Sequence, residues 1–188
     1  LLTFLGYFDG TGKPVAYCLR KKVRQQPPNF GYCTYTISCH NNDVCGQAIR
    51  LLSGIKYEGL VGVEFKLDAR TGEYKLIEIN PRAVNTISLA TSAGVDLPLI
   101  GFNNLVSGTV PAQVKWESGV KWVWVASDFW AVRALLKSGD LKLSRWLRSV
   151  IEAKSHPLFA PDDLVPWLRF YRRFIAGLVR GRMSQAKR

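Results

Sequence analysis

The chain of 188 residues carries 26 Lys and Arg against 14 Asp and Glu, a formal net charge of +12, and 47% of its residues are hydrophobic. That length can bury one real core, with or without an appendage, and the composition places the chain among soluble globular proteins. No apolar run is long enough to span a bilayer as a helix and no signal-peptide layout opens the sequence, so the cytoplasm is the expected compartment.

Leu1–Phe8 and Pro14–Leu19 read as strands around an Asp9-Gly10-Thr11-Gly12 turn, and Tyr32–Ser38, rich in β-formers, reads as a third. Between them Arg20-Lys21-Lys22-Val23-Arg24-Gln25 packs four cations into five positions. A strand continuing this far places Arg20, Lys22 and Arg24 on one face. They then form either a positive wall over phosphates, with Lys22 and Arg24 as nucleotide contacts, or an ordinary solvated charge run. Gln26-Pro27-Pro28-Asn29-Phe30-Gly31 must be a loop, because two prolines remove donors and fix φ. Asn41-Asn42-Asp43 caps a helix through Leu52, whose Val44, Ala48, Leu51 and Leu52 form one apolar stripe.

Residues 60–82 carry the chemistry. Val61, Val63, Phe65 and Leu67 alternate with Gly62, Glu64, Lys66 and Asp68, the period-two pattern of a strand with one buried face. A second run through Ile77 and Ile79 follows, and Asp68-Ala69-Arg70-Thr71-Gly72-Glu73 supplies the turn. A hairpin centred on Thr71 sets Glu64 opposite Glu78, with Asn80 two residues on. Paired carboxylates repel unless something neutralises them. A hard divalent cation does so, and magnesium is usually held by one or two carboxylates plus substrate phosphates. The plain alternative is a solvated face on which Lys66 neutralises one Glu.

The run VGVEFKLDARTGEYKLIEINPRAVNTISLATSAGVDLPLI resembles the carboxy-terminal subdomain of ATP-grasp ligases, and Glu-Ile-Asn-Pro-Arg looks most like the carbamoyl-phosphate-synthetase-like carboxylate–amine ligase branch. The similarity is most specific over residues 57–108 and fades beyond about residue 112. It implies that Glu64, Glu78 and Asn80 are metal ligands. Glu64 and Glu78 thereby contact ATP, with Glu78 bridging two magnesium ions, for which manganese can substitute. It also implies a catalytic Arg82 facing the transferred phosphoryl group or the substrate carboxylate. The implied activity makes an acyl phosphate that an amine attacks, with a small-molecule carboxylate and an amine as substrates. It further implies that the amino-terminal subdomains of the enzyme lie before Leu1, so that the segment alone binds nucleotide weakly and turns over nothing.

After Pro81, helices are expected from about Thr86 to Ala93 and from Leu97 towards Val106. Cys18, Cys33, Cys39 and Cys45 match no standard zinc spacing, and His156 reads as a surface residue. From Gln113 onward the chain holds fifteen Lys and Arg against six Asp and Glu, and all six tryptophans. There Val120–Ala126 reads as a strand, Asp128 as the cap of a helix through Lys137, and Leu164–Arg180 as a basic amphipathic helix. The expected organisation is α+β: an ATP-grasp carboxy-terminal subdomain over 1–111, its sheet mostly antiparallel and flanked by helices, then a basic, aromatic-rich helical extension over 112–188. An aromatic stripe among arginines fits peripheral contact of 164–180 with the inner face of a membrane, or packing on the protein itself. The competing functional class is a non-catalytic basic module docking on anionic lipid or nucleic acid, although no RNA- or DNA-binding motif supports the latter.

Overall fold

Every residue of strand β1 (Leu2–Phe8) is buried, and this mostly apolar segment, with Thr3 its one hydroxyl-bearing aliphatic side chain, lies in the interior of a six-stranded sheet. A computed structural model describes residues 1–28, 30–111 and 114–180. β1 pairs with β2 (Pro14–Gln26) on one side and β4 (Gly59–Leu67) on the other; β3 (Tyr32–Cys39) and β6 (Lys121–Val123) extend one edge, β5 (Tyr74–Asn80) the other. The order is β5-β4-β1-β2-β3-β6, and every pair of strands is antiparallel. This is the α+β organisation that the alternating patterns predict.

Because side chains alternate across a strand, β1 feeds two cores. Leu2, Phe4 and Phe8 pack with Val44, Ala48 and Leu52 of helix α1 (Asn42–Gly54), which Asn41 caps by accepting a 2.9 Å hydrogen bond from the Val44 amide. Leu5 and Tyr7 face the opposite way, onto Leu89 and Ala90 of α2 (Ser88–Ser92), Leu97 of α3 (Leu97–Ser107) and the fully buried Trp122.

The segment after residue 112 supplies part of this second core. Its β6 completes the sheet, and α4 (Val125–Ser138) packs on β2 and β3. The strand expected over Val120–Ala126 yields to helix at Val125, so Asp128 lies inside α4 and does not cap it. Helix α5 (Leu143–Ile151) gave no clear sequence signal, whereas α6 (Val165–Val179) falls close to its expected bounds. α6 turns its aromatic stripe towards its own chain: Phe174 meets Phe129 of α4 edge-on at 6.2 Å and Trp167 meets Phe159 at 6.1 Å. Among the described residues, no helix is long and apolar enough to cross a membrane.

Candidate active site

One transverse row of the sheet carries the site. Ser38 pairs with Arg20, Arg20 with Thr3, Thr3 with Glu64, and Glu64 with Glu78. Lateral partners project to the same face, so five successive strands present one line of polar side chains. In the neighbouring row Cys18, Leu5, Gly62 and Asn80 stand abreast, which sets Asn80 beside Glu78. The predicted Glu64, Glu78 and Asn80 are thus brought together.

The hairpin reaches this register by a different route from the one expected. Leu67 pairs with Tyr74 and Phe65 with Leu76, a turn centred just before Thr71 that would by itself set Glu64 against Ile77. A bulge at Ile77 inserts one residue and restores the Glu64 to Glu78 pairing. The turn is closed by the Gly72 amide donating to the Asp68 carbonyl at 2.8 Å, with Gly72 at φ +73°. Gly62 answers a second steric demand, since a Cβ there would lie 2.8 Å from Val84 Cγ1. The loop that bears Arg82 can therefore lie flat on the sheet.

Glu64 is held by three groups. Arg20 Nη2 and Lys22 Nζ each approach it at 3.5 Å, on different carboxylate oxygens, and the Thr3 hydroxyl donates to Oε1 at 3.3 Å. Across the hairpin Asn80 Nδ2 donates to Glu78 Oε1 at 2.7 Å, and Arg82 Nη2 donates to Asn80 Oδ1 at 3.3 Å. Glu64 is largely buried, whereas Glu78 and Arg82 are exposed. Two adjoining recesses open over these side chains. One, of about 310 Å³, is lined by Arg20, Lys22, Glu64, Glu78, Asn80 and Arg82 among others. The second, of about 530 Å³, shares Lys22, Glu64 and Glu78 and extends under Pro27, Phe30 and Tyr32, so the loop expected after Gln25 does border the site. The buried Cys33 thiol also lines the smaller recess, and desolvation raises its pKa.

Arg24 is not brought to the site. Val23 is bulged out of the β2–β3 ladder, so alternation breaks after Lys22 and Arg24 pairs with Tyr35. Its guanidinium sits 4.0 Å from the Tyr35 ring centroid and forms a forked pair with buried Asp128 of α4, Nε at 2.9 Å and Nη2 at 2.7 Å. It lines neither recess. Thr3 and the depth of Arg20 were the features sequence reasoning missed. The pairing of β1 between β2 and β4 puts them in line with Glu64, and no local pattern encodes that pairing.

A family model described as "ATP-grasp in the biosynthetic pathway with Ter operon" matches residues 8–127, more than half of the chain. The chain belongs to this ATP-grasp family. The match continues through β6 into α4, past the point where the resemblance was expected to fade. Over 46 residues the chain is 41% identical to the carbamoyl phosphate synthase large chain of Methanothermobacter thermautotrophicus, spanning 24% of this chain and 4% of that protein. Similar solved structures include Rhizobium etli pyruvate carboxylase T882A, with a TM-score of 0.52, 18% identity and coverage of 64% of this chain and 13% of that one. The biotin carboxylase β,γ-ATP complex from Campylobacter jejuni gives a TM-score of 0.51 at 18% identity, over 64% of this chain and 28% of that one. At such identity the likeness shows an ATP-grasp subdomain fold. The chain spans only a small part of each of these relatives.

The donor set fits the metal that the family implies. Two carboxylates and an amide oxygen are hard donors, and among the described residues no group of three or more His, Cys, Asp or Glu could complete a cage. A magnesium ion held by few protein ligands takes the remainder from substrate phosphates.

Proposed function

We propose that this chain is the metal- and phosphate-holding part of an ATP-grasp ligase that activates a carboxylate as an acyl phosphate for attack by an amine. The observation that carries the reading is the Glu64–Glu78 pairing across the β4–β5 hairpin with Asn80 and Arg82 alongside. Glu64, Glu78 and Asn80 would hold the magnesium ions, which when bound neutralise the charge of the nucleotide's phosphates. Family membership and the carbamoyl phosphate synthase relative support the reaction class.

The chain's own residues supply positioning and electrostatics. Phosphoryl transfer to a carboxylate needs no nucleophilic side chain. It needs the two anions brought into line and their repulsion offset. Arg82 is exposed at the rim, and its planar guanidinium can grip a carboxylate or phosphate with two parallel hydrogen bonds. Lys22, from the facing wall of the same recess, adds a point charge on a flexible stem. The carboxylate and amine substrates would enter over the larger, open recess, whose wall includes Pro27, Phe30 and Tyr32.

The test is Glu78→Gln in the full-length protein. This near-isosteric change removes one central charge and should lower magnesium-dependent ADP formation by about 10²-fold or more. Turnover equal to the wild type would overturn the assignment and favour a non-catalytic module.

A further inference from the structure

We infer that Arg20 is a built-in counter-cation for Glu64, which disfavours binding of a bare divalent ion and reserves the carboxylate pair for a metal arriving with a polyphosphate. The inference rests on the nucleotide-binding reading above and adds a positioning residue that the family match does not assign.

The observation is an incompletely satisfied buried cation. Arg20 is 2% exposed, yet among the described residues its buried Nε and Nη1 have no hydrogen-bond partner, and its one polar contact is the 3.5 Å approach of Nη2 to Glu64. A buried guanidinium with five donors normally finds close acceptors. The same strand shows that this fold can provide them: four residues on, Arg24 meets Asp128 at 2.7–3.1 Å and Ser149 at 2.9 Å. The Arg20–Glu64 pair is loose by comparison, at the outer limit of a hydrogen bond.

Loose pairing has a consequence for what the site accepts. Each Glu64 oxygen faces a cation, Arg20 on one side and Lys22 on the other. The recess is lined by three cations, Arg20, Lys22 and Arg82, against two carboxylates, Glu64 and Glu78. A bare divalent ion would add two positive charges to a site already in positive excess. A metal carried by a triphosphate brings net negative charge instead, and its phosphate oxygens engage the cations that Glu64 releases. Burial makes this discrimination effective, because charges shielded from water interact more strongly than exposed ones. Arg20 therefore acts through Glu64, without touching the reacting atoms.

The experiment is a Mn²⁺ titration of the intact protein, followed by electron paramagnetic resonance, first without nucleotide and then with ATP. Arg20→Met keeps an extended apolar stem and removes the charge; without nucleotide it should bind free Mn²⁺ about tenfold or more tightly than the wild type. Arg20→Lys restores the charge and should return free-Mn²⁺ binding to the weak wild-type level. A merely structural Arg20 gives unchanged or weaker binding in Arg20→Met, and that result overturns the inference. Should Arg20→Met fail to fold, Lys22→Met removes the other flanking cation and must show the same gain. Uptake of Mn²⁺ with ATP by the wild type separates the two levels. Its absence refutes the nucleotide-binding reading, whereas its presence without a gain in the variant refutes this inference alone.

Discussion

Replacing Asp128 with alanine isolates the buried network that takes Arg24 away from the Glu64–Glu78 row. The Asp128 carboxylate is fully buried and accepts from Arg24 Nε and Nη2, from the Thr34 hydroxyl at 2.8 Å and from Trp146 Nε1 at 2.9 Å. It therefore ties β2, β3 and α5 to α4. Its removal leaves a buried guanidinium, a hydroxyl and an indole N–H without their acceptor, and breaking a buried ion pair from one side typically costs about 3–5 kcal/mol. For a chain of this size that corresponds to a fall in Tm of roughly 6–20 °C. Thermal unfolding followed by circular dichroism measures it. Arg24→Met should destabilise similarly, and the double variant Arg24→Met/Asp128→Leu should be more stable than either single variant, because no uncompensated charge remains. At a temperature where it is folded, Arg24→Met should bind Mg-ATP as the wild type does. A specific loss of nucleotide affinity in stably folded Arg24→Met would refute the assignment of Arg24 to structure.

Two further outcomes follow from local geometry. Gly62→Val places methyl groups against Val84, already 2.8 Å from an ideal Cβ, and should cost about 1–3 kcal/mol while displacing the loop that carries Arg82, read as a lower Tm together with reduced turnover. Hydrogen bonds from Lys121 and then Arg148 lower the Glu152 carboxyl to about 2, so its contribution is present above its ordinary value of 4.5 and is lost as pH falls through the folded value. The Tm difference between wild type and Glu152→Gln should therefore narrow as the pH is taken from neutrality towards 2.

The site was legible where its information is local. Alternation in β4, a Gly-bearing turn and the Glu-x-Asn spacing in β5 together bring Glu64 to Glu78, even though the turn is offset and the Ile77 bulge makes up the difference. Arg24 was misplaced for the complementary reason. Alternation holds only while the ladder is regular, and the bulge at Val23 displaces Arg24 before a second irregularity restores the register at Gln25. Asp128, the acceptor for Arg24, lies 104 residues away in sequence and read as a helix cap. Thr3 and Arg20 belong to the site through tertiary strand order, which the sequence of neither strand encodes. The aromatic stripe of α6 was recognised as one face, but only the packing of Phe174 on Phe129 shows that this face is turned to the chain's own α4.

The account stands on the carboxylate pair of the β4–β5 hairpin acting as a seat for metal-bound ATP. Isothermal titration of Mg-ATP into the full-length protein, beside the Glu64→Gln/Glu78→Gln double variant, addresses it directly. Magnesium-dependent binding by the wild type that disappears in a folded double variant is the expected result. Equal Mg-ATP binding by both proteins would contradict the account.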